Sequence, residues 1–70
     1  MYLDKRKLID YMNSRFEGNY SKFAKELKVE VAQLHRIINT GSQAGTVFLG
    51  RLHTFCKNSD IQFEDFIFFD

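Results

Sequence analysis

The side chains able to take part in covalent or metal chemistry are few: Cys56, His35, His53 and nine Asp or Glu residues. A nucleophile needs a base at recognisable spacing, and a zinc site needs Cys and His clustered at short intervals. Neither pattern occurs. Cys56 falls in the apolar register of Leu52 and Phe55, where a free cysteine behaves as a small hydrophobe, so it is expected in the core. His53 is expected at the surface. No Gly-rich phosphate loop follows a strand, and 70 residues leave little room for a buried pocket. The expectation is a binding protein, not an enzyme, with no cofactor and no metal. The polar residues of interest lie in "VEVAQLHRIIN", residues 29–39, where Gln33, His35 and Arg36 alternate with Leu34, Ile37 and Ile38.

The elements that must carry these residues belong to one domain of 70 residues and 8.3 kDa. A domain of this size buries only about 60% of the surface its unfolded chain exposes, so its core is marginal. Eight residues are Phe, and aromatics must carry much of the burial. The composition, 44% hydrophobic and 27% charged, is that of a globular chain. A single cysteine excludes a disulfide framework, which fits a reducing cytoplasm. No apolar run approaches the ~20 residues of a membrane span, and "MYLDKRKLID" lacks a signal-peptide apolar stretch. A cytoplasmic protein without a membrane partner is expected.

The net charge of +1 is low for a nucleic-acid binder. Its distribution is uneven. Residues 1–29 hold seven cations against four carboxylates. Residues 30–50 hold Arg36 against Glu30. Residues 51–70 hold Arg51 and Lys57 against Asp60, Glu64, Asp65 and Asp70. Attraction to phosphate would come from the first half.

Helical spacing dominates. In a first segment, about Asp4 to Phe16, Leu8, Met12 and Phe16 make one stripe, with Asp4 as cap and Gly18 as stop. In a second, about Tyr20 to Leu27, Phe23, Ala24 and Leu27 share a face, and Asn19 or Ser21 caps it. A third, about Val31 to Asn39, turns Leu34, Ile37 and Ile38 inward. Only "KVE" separates the second and third, so they must meet at a steep angle with Val29 plugging the corner. A fourth, about Thr46 to Lys57, has Phe48, Leu49, Leu52, Phe55 and Cys56 on its apolar face. The final "FEDFIFF" is ambiguous: Phe63, Phe66 and Ile67 have helical spacing, while "FIFF" alone could be a short strand, and it is read as a short helical turn followed by a free end. The predicted fold is all-α, a compact bundle of four to five short helices.

Over residues 20–66 the sequence resembles the Cro/CI-type, lambda-repressor-like, helix-turn-helix family of transcriptional regulators. Ala24, Leu27, Val29, Leu34 and Ile37 carry the match in a motif over about residues 20–39. "RIINTG" resembles the family's exit into a loop, and "FLGRLHTFCKNSDIQFEDFI" its last two helices. The resemblance implies a small repressor-type DNA-binding domain, of the kind found in phages and other mobile elements. Its second motif helix, residues 31–39, would enter the operator major groove.

Carried over by position, Val31, Ala32, Gln33 and Arg36 would face the bases. Gln33 matches the edge of adenine and Arg36 that of guanine, and Val31 or Ala32 could touch a thymine methyl. Tyr20, Ser21, Lys22, Asn39, Thr40, Ser42 and Gln43 would meet the DNA backbone. Double-stranded operator DNA is the expected partner, with no small-molecule substrate. Phe66, Phe68 and Phe69 exceed what a small core needs and form a candidate partner surface, for a homodimer or for a heterodimer with another repressor. The alternative for Gln33, His35 and Arg36 is a merely solvated helix face. The alternative for Phe66 is the core.

A second function stays open beside DNA reading. The family commonly has Gly where Lys28 stands, Ser or Thr where Glu30 stands, and polar residues where Val31 and Ala32 stand. With the low net charge and the aromatic, acidic C-terminal stretch, these fit a helix-turn-helix chain that acts by binding a partner repressor.

Overall fold

The computed structural model describes residues 2–40 and 44–68. In chain order the elements are β1 (Tyr2–Leu3), α1 (Lys5–Phe16), α2 (Tyr20–Leu27), α3 (Val31–Asn39), α4 (Thr46–Asn58), a 3₁₀ turn over Phe63–Phe66, and β2 (Ile67–Phe68). The architecture is mostly helical, as the spacing predicted. No helix among the described residues is long and apolar enough to cross a membrane.

Local chemistry sets the helix ends. The Asp4 carboxylate caps α1 by accepting from the Lys7 N–H at 3.2 Å. The side-chain oxygen of Asn19, rather than Ser21, caps α2, accepting from the Lys22 N–H at 3.1 Å. The chain leaves α1 through two left-handed residues, Glu17 at φ 54° and Gly18 at φ 74°. At Gly18 the left-handed backbone favours glycine, and an added β-carbon would press on Asn13 Oδ1 at 3.2 Å, displacing that side chain by a few tenths of an ångström.

The end of α2 is a Schellman turn. Lys28 stands at φ 61°, where its N–H donates to the Lys25 carbonyl at 3.2 Å. The Val29 N–H then donates to the Ala24 carbonyl at 3.0 Å. Lysine thus takes a left-handed conformation that glycine adopts more readily. Asp60, at φ 59°, ends α4 similarly, with the Ile61 N–H bonded to the Cys56 carbonyl at 2.9 Å.

One core joins the elements. Leu8 and Met12 of α1 meet Phe23, Ala24 and Leu27 of α2, Leu34, Ile37 and Ile38 of α3, Phe48, Leu52 and Cys56 of α4, and Phe66. Tyr11 forms an aromatic hub, with ring centroids 5.9 Å from Phe23, 5.9 Å from Phe55 and 5.6 Å from Phe66. Val29 packs against the cluster from the α2–α3 corner, as expected.

The C-terminal stretch corrects two expectations. The helical turn is present, but it does not run into a free end. Residues Ile67 and Phe68 pair antiparallel with Tyr2 and Leu3, Tyr2 opposite Phe68 and Leu3 opposite Ile67. The pairing joins segments 65 residues apart, which no local spacing signals. Phe66, 4% exposed, is a core residue, so it is withdrawn from the candidate partner surface. Its ring packs edge-on against that of Tyr11. Phe68 is 56% exposed, and Phe69 lies outside the described residues.

Candidate nucleic-acid interface

The surface follows from how α3 is held. Its apolar face, Leu34, Ile37 and Ile38, is buried, which turns the other side outward. Val31 is 43% exposed, Ala32, His35 and Arg36 are exposed, and Gln33 is half-buried. These positions therefore share the solvent side of one helix, with Gln33 closest to the protein.

Two helix starts flank this surface. In an α-helix the first N–H groups have no intrahelical partner. At α2 the Asn19 side chain takes only the Lys22 N–H, leaving those of Tyr20 and Ser21. At α3 Glu30 makes no side-chain cap bond, so the N–H groups of Val31, Ala32 and Gln33 remain open. The first bonded N–H is that of Leu34, to the Glu30 carbonyl at 3.1 Å. Open N–H groups favour an anion, and the helix dipole adds to this. The exposed carboxylate of Glu30 opposes it at α3.

The end of α3 is tied on two sides. Lys5 Nζ donates to the Thr40 carbonyl at 2.8 Å, bringing a cation from α1 to a helix C-terminus. Thr40 turns its hydroxyl inward, donating to the Arg36 carbonyl at 2.6 Å, and its N–H donates to the same oxygen at 3.0 Å. Thr40, expected to meet a DNA backbone, thus uses these two donors to close the helix.

On the other side Tyr20 stacks on His35, ring centroids 4.3 Å apart and planes 29° from parallel. Asn39 Nδ2 donates to Tyr20 Oη at 3.1 Å and to the His35 carbonyl at 2.9 Å, and lies 3.1 Å from His35 Nδ1. Tyr20 and Asn39 were expected to face the DNA backbone separately. The structure brings them together around His35. The i, i+4 spacing of His35 and Asn39 signals half of this cluster; the contact with Tyr20 depends on the α2–α3 packing.

Ser21 and Lys22 are exposed at the start of α2, as is Lys25 one turn later. Ser42 and Gln43 lie outside the described residues. Among the described residues, the groups with shifted titration, Cys56 and Tyr11, are on α4 and α1 rather than on α3. Burial, then the charges of Asp65 and Glu64, pushes the Cys56 thiol up to about 11. Burial also raises Tyr11; Arg15 partly offsets this, and Cys56 adds to it. Among the described residues no group of three or more His, Cys, Asp or Glu side chains is placed to hold a metal ion.

Compared with known proteins, the chain matches no family model, no curated protein and no solved structure.

Proposed function

We propose that this chain is a small Cro-like DNA-binding regulator of the repressor type, and that it inserts α3 into the operator major groove. One observation carries the reading. The helix follows α2 through a turn of three residues, Lys28, Val29 and Glu30, and keeps Leu34, Ile37 and Ile38 in the core while Val31, Ala32 and Arg36 face solvent. A helix so placed meets DNA with its first turns, where Gln33 and Arg36 supply bidentate hydrogen bonding to base edges. The open N–H groups at the start of α2, with exposed Ser21 and Lys22, suit phosphate contacts.

The test is selection of duplexes from a random-sequence pool by the purified chain, followed by gel shifts across a salt series. The reading requires an enriched sequence and an affinity that falls as salt rises. Loss of both requirements rejects it.

A second reading is favoured by the apolar exposure. Val31 stands beside Glu30 at the start of α3, and Tyr2 and Phe68, 54% and 56% exposed, lie opposite each other on the ribbon. Such a chain would act by binding a partner repressor. Co-purification with a repressor, together with no salt-sensitive DNA binding by the chain alone, would select this reading.

A further inference from the structure

The bond from Lys5 Nζ to the Thr40 carbonyl, 2.8 Å long, spans 35 residues of chain and joins the first residue of α1 to the residue that closes α3. Its own helix disfavours a cation at that place. The amino end of α1 carries the positive end of the helix dipole, and its first turn holds no acidic residue. The carboxyl end of α3 favours the same cation. Arg6 and Lys7, next along the chain, are exposed, whereas Lys5 is half-buried. Lys5 is also fixed at its base. It follows Asp4, whose N–H donates to the Phe66 carbonyl at 2.7 Å and whose carboxylate caps α1.

The far end of α3 is held by such bonds more than by packing. Apolar burial fades along the helix: Leu34 is fully buried, Ile38 is 9% exposed, and Asn39 and Thr40 are exposed. Thr40 in turn closes onto Arg36, its hydroxyl donating to the Arg36 carbonyl at 2.6 Å and its N–H to the same oxygen at 3.0 Å. A continuous path of hydrogen bonds thus runs from α1 through Thr40 to the backbone of Arg36, the residue suited to a guanine edge. We propose that Lys5 is a positioning residue for base reading: it pins the last turn of α3 to α1 and so sets the aim of Arg36, without itself touching DNA. This role rests on the DNA-binding reading above and adds to it a residue outside the helix-turn-helix.

Lys5→Met keeps the aliphatic stem and removes the donor and the charge, and Lys5→Arg keeps both. Arg6→Met removes an exposed cation from the same turn and is the control for charge. Amide exchange in the free protein reads the hold on α3. Exchange at the Thr40 N–H should be about two- to fivefold faster in Lys5→Met, the range for a cation at a helix carboxyl end, and unchanged in Lys5→Arg and Arg6→Met. On DNA, the readout is the preference for the selected duplex over one altered at the base pair where Arg36→Ala relaxes the choice. Lys5→Met should lose that preference by a similar factor, and the other two variants should keep it. In Lys5→Met the slope of log affinity against log salt should stay that of the wild type, because no phosphate contact is removed.

Urea unfolding establishes that the variants fold. Unchanged exchange in Lys5→Met overturns the tie to α3. Faster exchange with an unchanged preference overturns the role in reading. Equal loss on both duplexes, with the slope flattened by about one, makes Lys5 a phosphate contact and overturns that role as well. A wild type without salt-dependent, sequence-selective binding rejects the DNA-binding reading and this role with it. The exchange rates, measured without DNA, separate that failure from failure of the tie.

Discussion

The backbone N–H of Asp4 donates to the carbonyl of Phe66 at 2.7 Å. Asp4 is also the cap of α1, and Phe66 packs edge-on against Tyr11 of that helix, 5.6 Å between ring centroids. One residue pair therefore joins the ribbon, the first helix and the core. Phe66→Ala should cost roughly 3–5 kcal/mol, as buried Phe truncations do. Phe68→Ala, on the exposed side of the ribbon, should change stability by less than about 0.5 kcal/mol. Urea unfolding of both variants checks the contrast, and equal losses would be incompatible with this placement.

Lys28 is held in the left-handed region at φ 61°. That conformation costs an L-residue roughly 1–2 kcal/mol, whereas glycine costs about 0.5–1 kcal/mol through the freedom it adds to the unfolded chain. The first cost is the larger. Lys28→Gly is expected to stabilise the fold by about 0.5 kcal/mol, read as a higher urea midpoint. A lower midpoint would mean that the lysine side chain contributes something its exposure does not reveal.

The two sides of α3 should separate in their effects. Leu34→Ala and Ile37→Ala truncate buried residues and should each destabilise by roughly 2–5 kcal/mol. Arg36→Ala should leave stability within about 0.5 kcal/mol, since the side chain is exposed. On the proposed function, Arg36→Ala and Gln33→Ala should each weaken binding to the selected duplex by about 1–3 kcal/mol and relax its sequence preference at one position. Gel shifts against the selected site and single-base variants measure this.

Cys56 should make the fold sensitive to alkali. Its thiol titrates at about 11 in the folded protein against an ordinary 9.0. The folded state thus holds its proton to higher pH than the unfolded state, and the associated stability is complete below pH 9 and disappears as pH rises through about 11. The loss is at most about 3 kcal/mol. Tyr11, also raised, adds to it in the same direction. Urea midpoints of wild type and Cys56→Ala between pH 8 and 11 should converge as pH rises. Thiol reagents should label the native protein only at its rate of opening, because the thiolate is the reactive form.

Much of the fold is legible in the residue order because the helices are specified locally. Asp4 and Asn19 are caps, Gly18 stops a helix, and the stripes through Leu8, Phe23, Leu34 and Leu52 identify the inward faces. The turn at Lys28 is legible as well, since the short "KVE" link leaves little choice of path. Elsewhere local spacing carries no information. Over Ile67 and Phe68 the residue types allow a helical turn, a short strand or a free end, and the strand is settled only by partners, Tyr2 and Leu3, at the other end of the chain. For Phe66 the sequence leaves core and partner surface both open; the ribbon pairing and the position of Tyr11 place it in the core and leave Phe68 at the surface.

The candidate interface divides in the same way. The outward positions on α3 follow from its period of 3.6 residues, so Val31, Ala32 and Arg36 are placed by the sequence itself. The partners of Asn39 are not. Its amide reaches the His35 carbonyl within one helical turn, a local contact, but it reaches Tyr20 only because α2 and α3 pack against each other. Helical periodicity determined which side chains face outward. Tertiary packing decided which of them touch, because hydrogen bonds between elements depend on distances that no sequence interval specifies.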